Sequence, residues 1–517
     1  MKKIVCYICL ILSITGCKKQ LDLQNPNSKT IDLYWKTADD AQLGVNAIYN
    51  SLIQDGTYMR MFPALTDVRG DDFTGDSPWG DLVQVGKFSI PSSSGPVQWI
   101  WAAHYQMIWR ANQVIINVPA IEMNAELKTR IIGQARFLRG LALFNLANTY
   151  KMVPVPTELP TDKSKYQIPT ASDEVLWNQI FDDFKAAKAA LPDNYGTVSG
   201  PDVGQVGRAT KGAATGMLGK AYLYKKRWAE AAAEFNELIN GAQKGKYSLM
   251  ANFRDNFKET VENNTESIFE VQFGQPDAVG GTIMNYGGEP NANWKQVSST
   301  GRTYAMDGFG YSDFLPTRWI YNEFKAEKTI AGKSDPRLLA TIASFEPDDN
   351  STTVYGRPWP FASTMIYPRK YTHDGLSWPG NDDQENSGIN YRIMRYADVL
   401  LMYAEALNET GATASAYSYI QQVRTRAGLA DLSLARPQMN QAQMRDQIAH
   451  ERALEFSVES VRINDIIRWG WLYDTEKLTQ LKSHDPDFET WRPGKEYLPI
   501  PLSELNVNPN LQRNSAN

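Results

Sequence analysis

Leu218-Gly219-Lys220-Ala221-Tyr222-Leu223-Tyr224-Lys225-Lys226-Arg227-Trp228-Ala229-Glu230-Ala231-Ala232-Ala233-Glu234-Phe235-Asn236-Glu237-Leu238 has the residue spacing of a paired-helix repeat. Small residues at Gly219 and Ala231 alternate with large ones at Tyr222, Phe235 and Leu238. In a helix–turn–helix unit of the tetratricopeptide kind, a small residue lets one helix approach the other and a large one fills the groove between them. Ala404, Leu407, Ala416, Ile420 and Val423 repeat the same spacing further along the chain. Two units with one internal spacing predict scattered helical hairpins; chance likeness between two amphipathic hairpins is the alternative.

Working outward, Asp39 and Asp40 open an amphipathic run through Tyr49, as suits a helix N-terminus. A second helix is predicted over about 97–118. A third, over about 127–150, carries Ile131, Ala135, Leu138, Ala142 and Leu146 at near-helical spacing and is stopped by Pro154 and Pro156. A fourth, 174–191, is closed by Pro192. The third and fourth are expected to pair, as are the first and second. Residues 54–96, rich in Gly, Pro, Asp and Ser, read as loop. Between 248 and 390 periodic helix is scarce, and Ser267–Phe273 alternates as a short strand would. Loops of this length in a compact protein are usually functional or disordered, and their aromatic content argues against disorder. The expected fold is therefore mostly α: one domain over 17–517, with helical units over about 39–247 and 391–470 and a loop-rich region with short β-strands over about 248–390.

The N-terminus reads as a leader. Lys2 and Lys3 precede an apolar run, Ile4–Leu12, that is too short to span a bilayer but has the length of a secretory core. Ile14-Thr15-Gly16-Cys17 then resembles a lipobox, so residues 1–16 are expected to be removed and Cys17 to carry lipid. An ordinary secreted protein with a chance cysteine is the alternative. Cys6 and Cys9 would leave with the leader, and the mature chain would keep no pair of thiols for a disulfide or a zinc site. The formal charge of −5, with signs mixed, argues against nucleic acid as a partner. No G-x-S-x-G elbow, G-x-x-x-x-G-K-[ST] loop or G-x-G-x-x-G turn is present, and His450-Glu451 lacks the second His of a zinc protease helix. A pair of glycosidase carboxylates is not readable from sequence. The chain is read as non-catalytic.

Several segments in order resemble the SusD/RagB family along essentially the whole chain. They are Asn25-Pro26-Asn27; Tyr34-Trp35; Asp40-Ala41; Trp101, Tyr105, Ile108 and Asn112; Ala135–Leu146 (ARFLRGLALFNL); Lys211-Gly212-Ala213-Ala214; Asp335-Pro336-Arg337; Arg369-Lys370; Arg395–Glu409 (RYADVLLMYAEALNE); Val423-Arg424-x-Arg426-Ala427-Gly428; Glu451-Arg452; Asp465–Gly470; Leu498–Pro501; and Asn508-Pro509. The sequence departs from the family at Glu455–Arg462, where a Phe-Glu-Gly-like turn is usual. The resemblance implies a helical scaffold with a loop-built binding face. It also implies an outer-membrane, lipid-anchored location facing the cell exterior, and capture of oligosaccharide or polysaccharide for a SusC-like TonB-dependent transporter. Some members, like RagB, handle peptides instead. No cofactor is implied.

Sugar rings have apolar faces edged by hydroxyls, so a binder offers aromatic platforms beside polar side chains. Three loop clusters have this make-up: Asp67, Arg69, Asp71, Asp72 and Trp79; Tyr286, Asn291, Asn293, Trp294 and Tyr304; and Trp359, Arg369 and Trp378. The resemblance places ligand contacts in the first and the mid-chain loops; loop packing is the alternative for each Trp. Trp101, Trp109, Trp177, Trp228 and Trp469 fall on helical or repeat positions and are read as core, and Trp319 as structural. Asn381–Asn386 could offer oxygen ligands to calcium but lacks the EF-hand spacing, and is read as a solvated acidic loop.

Overall fold

A computed structural model of the chain describes residues 34–160, 162–274, 297–376, 382 and 385–514. Cys17 and the lipobox lie outside the described residues, as do Tyr286, Asn291, Asn293, Trp294 and Trp378.

Helix starts are encoded as caps. The Thr37 hydroxyl accepts the Asp40 N–H at 3.2 Å and the Asp40 carboxylate accepts the Thr37 N–H at 2.9 Å, a reciprocal box that satisfies donors the helix leaves orphaned. Ser172 and Thr210 cap two more helices, and Asn440 with Gln443 repeats the box. Numbering only helices of eight residues or more, the described residues contain α1 (Ala38–Asn50), α2 (Gly95–Asn117), α3 (Ala125–Tyr150), α4 (Asp173–Ala190), α5 (Lys211–Tyr224), α6 (Trp228–Ile239), α7 (Arg318–Ala326), α8 (Tyr396–Glu409), α9 (Thr413–Arg426), α10 (Gln441–Phe456), α11 (Arg462–Trp469) and α12 (Thr475–His484). The expected second, third and fourth helices are α2, α3 and α4, each within a residue or two of the predicted ends.

These helices stack in one file. α1 packs on α2, α2 on α3, α3 on α4, α4 on α5, α5 on α6, α6 on α8, and α8 on both α9 and α10. The two spacing repeats, α5–α6 and α8–α9, are therefore neighbours in space. Gly219 explains the approach within the first: a Cβ there would sit 2.7 Å from the Phe235 ring, so the glycine lets α6 lie directly against α5. Ala404, Ala416, Ile420 and Val423 are buried at the equivalent places.

The loop-rich region leaves and re-enters the stack at one ladder. β2 (Ser267–Val271) pairs antiparallel with β8 (Tyr391–Arg395), and both lie on α5. Between them, β3 (Phe314–Pro316) pairs with β1 (Phe73–Gly75), β4 (Ile342–Ser344) with β7 (Ile366–Pro368), and β5 (Thr353–Val354) with β6 (Arg357–Pro358). The stretch 54–96, read as loop, also contains helices Met61–Asp67 and Gly80–Gly86. Pro63 concealed the first; it sits in the opening turn, where its missing N–H costs nothing.

Arginines and carboxylates packed out of solvent join these parts. Arg337 bonds Asp335, Glu451 and Glu455; Arg395 bonds Glu266, Glu455 and Glu459; Arg426 bonds Glu266 and Glu455; Arg424 bonds Glu451; Lys370 bonds Glu459. Each of these groups is buried or nearly so. Burial would raise the Glu455 carboxyl, but Arg426, Arg395 and Arg337 outweigh it and hold it well below the usual carboxylate range. Just beyond it, where the sequence leaves the family pattern, Val458 (φ 64°) and Ser460 (φ 57°) adopt the left-handed region, a costly place for a β-branched residue. The turn is held from both sides: Glu459 is in the network, and the Ser460 N–H donates to Asp67 at 2.6 Å.

Removing one member of a closed buried set strands its partners' charge. Glu455→Ala is expected to lower unfolding free energy by about 3–5 kcal/mol in denaturant titration. A loss below about 1 kcal/mol would show that the arginines find other partners.

Candidate functional site

On the loop-rich side, β1 and β3 bring distant residues together. The Asp76 N–H donates to the Asp313 carbonyl at 2.9 Å, and the Asp313 carboxylate accepts from Ser77 Oγ at 2.5 Å and Arg60 Nη2 at 3.0 Å. The Arg60 guanidinium lies 5.6 Å from the Trp79 ring and 4.8 Å from the Tyr311 ring. Arg302 lies 4.2 Å from the other ring of this set, Tyr311, whose hydroxyl donates to Glu385 at 2.5 Å. Trp79 and Trp99 lie 6.0 Å apart. Arg60, Asp313 and Glu385 are buried, whereas Trp79, Trp99, Arg302 and Tyr311 are half-exposed. The result is a set of aromatic planes fixed from behind by ion pairs.

The segment carrying Arg60 is seated by a glycine. A Cβ on Gly56 would fall 2.0 Å from the Trp99 carbonyl oxygen, so only glycine lets residues 54–59 lie on α2. Beside it, the Asp55 carboxyl is fully buried, and among the described residues neither oxygen has a hydrogen-bond partner. Burial, partly offset by Arg60 and reinforced by Glu385, pushes it up to about 7.

A second patch adjoins this one. Tyr355 (φ 48°) and Gly356 (φ 71°) form the two-residue turn joining β5 to β6, the left-handed pair that a tight hairpin needs. Tyr355 bears this conformation because its ring stacks on Phe309 at 4.5 Å and its hydroxyl donates to Asp382 at 2.5 Å. The turn carries Arg357 over the Phe309 ring at 5.6 Å. Trp359 is half-exposed against Phe361 and Tyr367, and its Nε1 donates to the Ala362 carbonyl at 3.3 Å. The Tyr367 hydroxyl is raised by burial and by nearby Asp307 and Asp76, both exposed, which join the two patches.

The sequence-predicted residues divide. Trp79 and Trp359 stay accessible in part. Asp67, Arg69, Asp71, Asp72 and Tyr304 do not: all five are buried, and their partners are inside the protein. Asp67 accepts from the Tyr304 hydroxyl at 2.6 Å. Arg69 donates to the carbonyls of Leu65 and Glu496. Asp71 binds Arg462 through both oxygens and accepts from His484; burial would raise its carboxyl, but the Arg462 charge and these hydrogen bonds hold it at about 2. Burial, with Asp71 next to it, pushes Asp72 up to about 7. The polar side chains expected to face a ligand are instead the tie between this loop and the C-terminal helices. Arg369 is also structural, paired with Asp374 at 2.9 Å and donating to the Leu339 carbonyl.

Among the tryptophans read as core, Trp101 and Trp177 are buried, Trp228 and Trp469 are half-buried, and Trp109 is 48 % exposed. Trp319 stacks on His484 at 4.0 Å, as a structural residue would. In the acidic loop, Asp382 is buried against His373 and Tyr355 and not solvated. Residues 381, 383 and 384 lie outside the described ones, and among the described residues no cluster of carboxylates and histidines has the make-up of a metal site. Sequence reading missed Arg60, Trp99, Arg302, Tyr311 and Asp313. The one available signal was the run from Gly95 to Trp109, a long helix with no Asp, Glu, Lys or Arg.

Comparison with known proteins agrees with this fold over nearly the whole chain. Residues 265–516 match the model of the SusD family, and residues 20–223 match a model described as starch-binding, associating with the outer membrane. The chain is similar to SusD-like protein P2 of Formosa agariphila, at 27 % identity over 99 % of this chain and 98 % of that one. A SusD superfamily protein from Bacteroides vulgatus superposes with a TM-score of 0.79 at 28 % identity, covering 93 % of this chain and all of its own. A laminarin-binding SusD-like protein superposes with a TM-score of 0.73 at 25 % identity, covering 93 % and 99 %.

His373 is buried between two carboxylates beside the second patch. Its ring nitrogens face Asp382 and Glu259, the latter at 3.0 Å. Burial alone would lower the imidazole, but the two carboxylates outweigh it and raise it to about 9. A group raised on folding stabilises fully below its unfolded value of about 6.5, and that contribution is lost as pH rises through about 9. The melting-temperature advantage of the wild type over His373→Gln is therefore expected to be larger at about pH 6 than at about pH 9.5. An advantage that does not change with pH would place the neutral imidazole in the fold.

Proposed function

Because the chain belongs to the SusD family, we propose that the platform of Trp79, Trp99 and Tyr311 is where it captures a glycan at the cell surface. The carrying observation is the arrangement itself: half-exposed rings on the loop-rich side, locked from behind by Arg60 and Asp313, with half-exposed Arg302 and exposed Asp76 and Asp307 around them. An aromatic face covers the apolar side of a sugar ring, while guanidinium and carboxylate groups answer its hydroxyls. Because the rings are held before ligand arrives, little ordering is left to oppose binding.

The rest of the role follows the same premise. Outer-membrane association fits the family description, with Cys17 as the lipid-bearing residue; each buried acyl CH₂ contributes about 0.8 kcal/mol, so several chains anchor firmly. Among the described residues no helix is long and apolar enough to cross a membrane. The captured glycan is passed, uncleaved, to a SusC-like TonB-dependent transporter. A β-glucan of the laminarin type and a starch-type α-glucan are the first substrates to test, since relatives are described by those ligands.

The test is calorimetric titration of the purified chain against laminarin, starch and xylan, with reducing ends assayed in parallel. One polymer is expected to bind without release of reducing sugar. Trp79→Ala and Tyr311→Ala are each expected to weaken that binding by at least about fivefold, as truncation of a central aromatic anchor does. Full affinity in both variants would remove the platform from the binding site, and binding of peptides in place of glycans would favour the peptide-capturing branch of the family.

A further inference from the structure

The outward face of α2 has an unusual make-up. From Gln98 to Trp109 the solvent-side positions are Gln98, Trp99, Ala102, Tyr105, Gln106 and Trp109, with no ionised side chain among them; Arg110, the next residue, is half-exposed and donates to the Ala47 carbonyl on α1 at 2.9 Å. A solvated helix face normally carries charged residues opposite its apolar stripe. Here aromatic rings alternate with amides, and Trp109 remains 48 % exposed at the end of the stripe.

That end opens into a groove of about 380 Å³, within the size range of small-ligand sites. Its walls include Tyr105, Trp109, Pro154, Pro156 and Tyr166, the last 64 % exposed, and Glu504 lines the same groove. The wall is fixed: the Tyr105 hydroxyl donates to the Pro154 carbonyl at 2.8 Å and Asn112 Nδ2 to the Pro156 carbonyl at 2.9 Å. The stripe joins this groove to the platform. Trp99 lies beside Trp79, Gln106 bonds Gln54, and Gln54 adjoins Asp55 and the Arg60 segment. Ten residues of helix separate Trp99 from Trp109, about 15 Å along the axis. That is the length of a short oligosaccharide, not of one ring.

We propose that this groove is a second contact for the same glycan, so that a chain seated on Trp79 and Trp99 continues along α2 to Trp109 and Tyr166. The ligand class is a hydroxyl-rich polymer, since the stripe offers ring faces and amide groups and the groove adds Glu158, Lys165 and Glu504, side chains that can bond hydroxyls. This inference rests on the platform reading above, and its test separates the two. Oligosaccharides of increasing length, prepared from whichever of laminarin, starch and xylan binds, are titrated into wild type, Trp79→Ala, Trp109→Ala and Tyr166→Ala. Trp109 and Tyr166 are exposed, so neither change should disturb folding, which a melt verifies. Trp109→Ala and Tyr166→Ala are expected to leave disaccharide and trisaccharide affinity unchanged and to weaken the polymer and long oligosaccharides by about tenfold. Trp79→Ala is expected to weaken all lengths. If both groove variants match wild type at every length while Trp79→Ala weakens binding, the second contact is overturned and the platform stands. If wild type binds none of the three polymers, both readings fall together.

Discussion

Arginines buried against carboxylates hold the helix stack and the loop-rich face in register. Charges out of water are tolerated only where each finds its partner in good geometry, and a broken set is far costlier than an absent one. Glu266 immediately precedes β2, Arg395 closes β8, Arg426 ends α9 and Glu455 sits near the end of α10, so satisfying them brings four elements to one point. A second set does the same one layer away: Asp398 binds Lys220 and Arg452, Asp465 binds Arg452 and Arg468, and Glu405 binds Arg468. Together they tie α5, α8, α10 and α11 to one another. The helix stack supplies the apolar core, and these bonds choose which packing of it is allowed.

The functional face inherits its rigidity from that constraint. The long loop-rich excursion starts and ends at the β2–β8 ladder, where the network is anchored, and Lys370 ties its middle to the same place. The first loop is tied in as well, through Asp71 on Arg462 and Asp67 on Tyr304 and the Ser460 N–H. What remains outside are the rings. Trp79, Trp99 and Tyr311 are held by groups themselves held by buried ion pairs, which suits a surface that must meet a ligand without rearranging.

The scaffold was legible because its signals are local or repeated. Gly219 and Phe235 sit close enough in sequence to be read as a packing pair, and the same spacing at Ala404 and Ile420 made the second hairpin visible. Charged residues that carried the family resemblance, among them Asp335, Arg337, Lys370, Arg395, Arg424, Arg426, Glu451, Arg452 and Asp465, prove to be members of the two buried networks. They report the fold and not the ligand. The site was not legible for the converse reason. Asp71 in a Gly-rich loop looks solvated until its partner is known, and that partner, Arg462, is 391 residues away. Arg60, Trp79 and Tyr311 meet only because β1 pairs with β3, two three-residue strands with no periodicity to announce them. A helical position alone reads Trp109 as core; its actual face is set by how α2 sits on α1 and α3.

A crystal structure of the chain with a bound oligosaccharide would show where the glycan sits. A sugar ring is expected in van der Waals contact with Trp79 or Tyr311, its hydroxyls bonded to groups such as Arg302, while Asp67, Asp71 and Asp72 keep the buried partners they have now. A ring seated among those three carboxylates, or bound on the helical stack with the Trp79–Tyr311 surface empty, would contradict that placement.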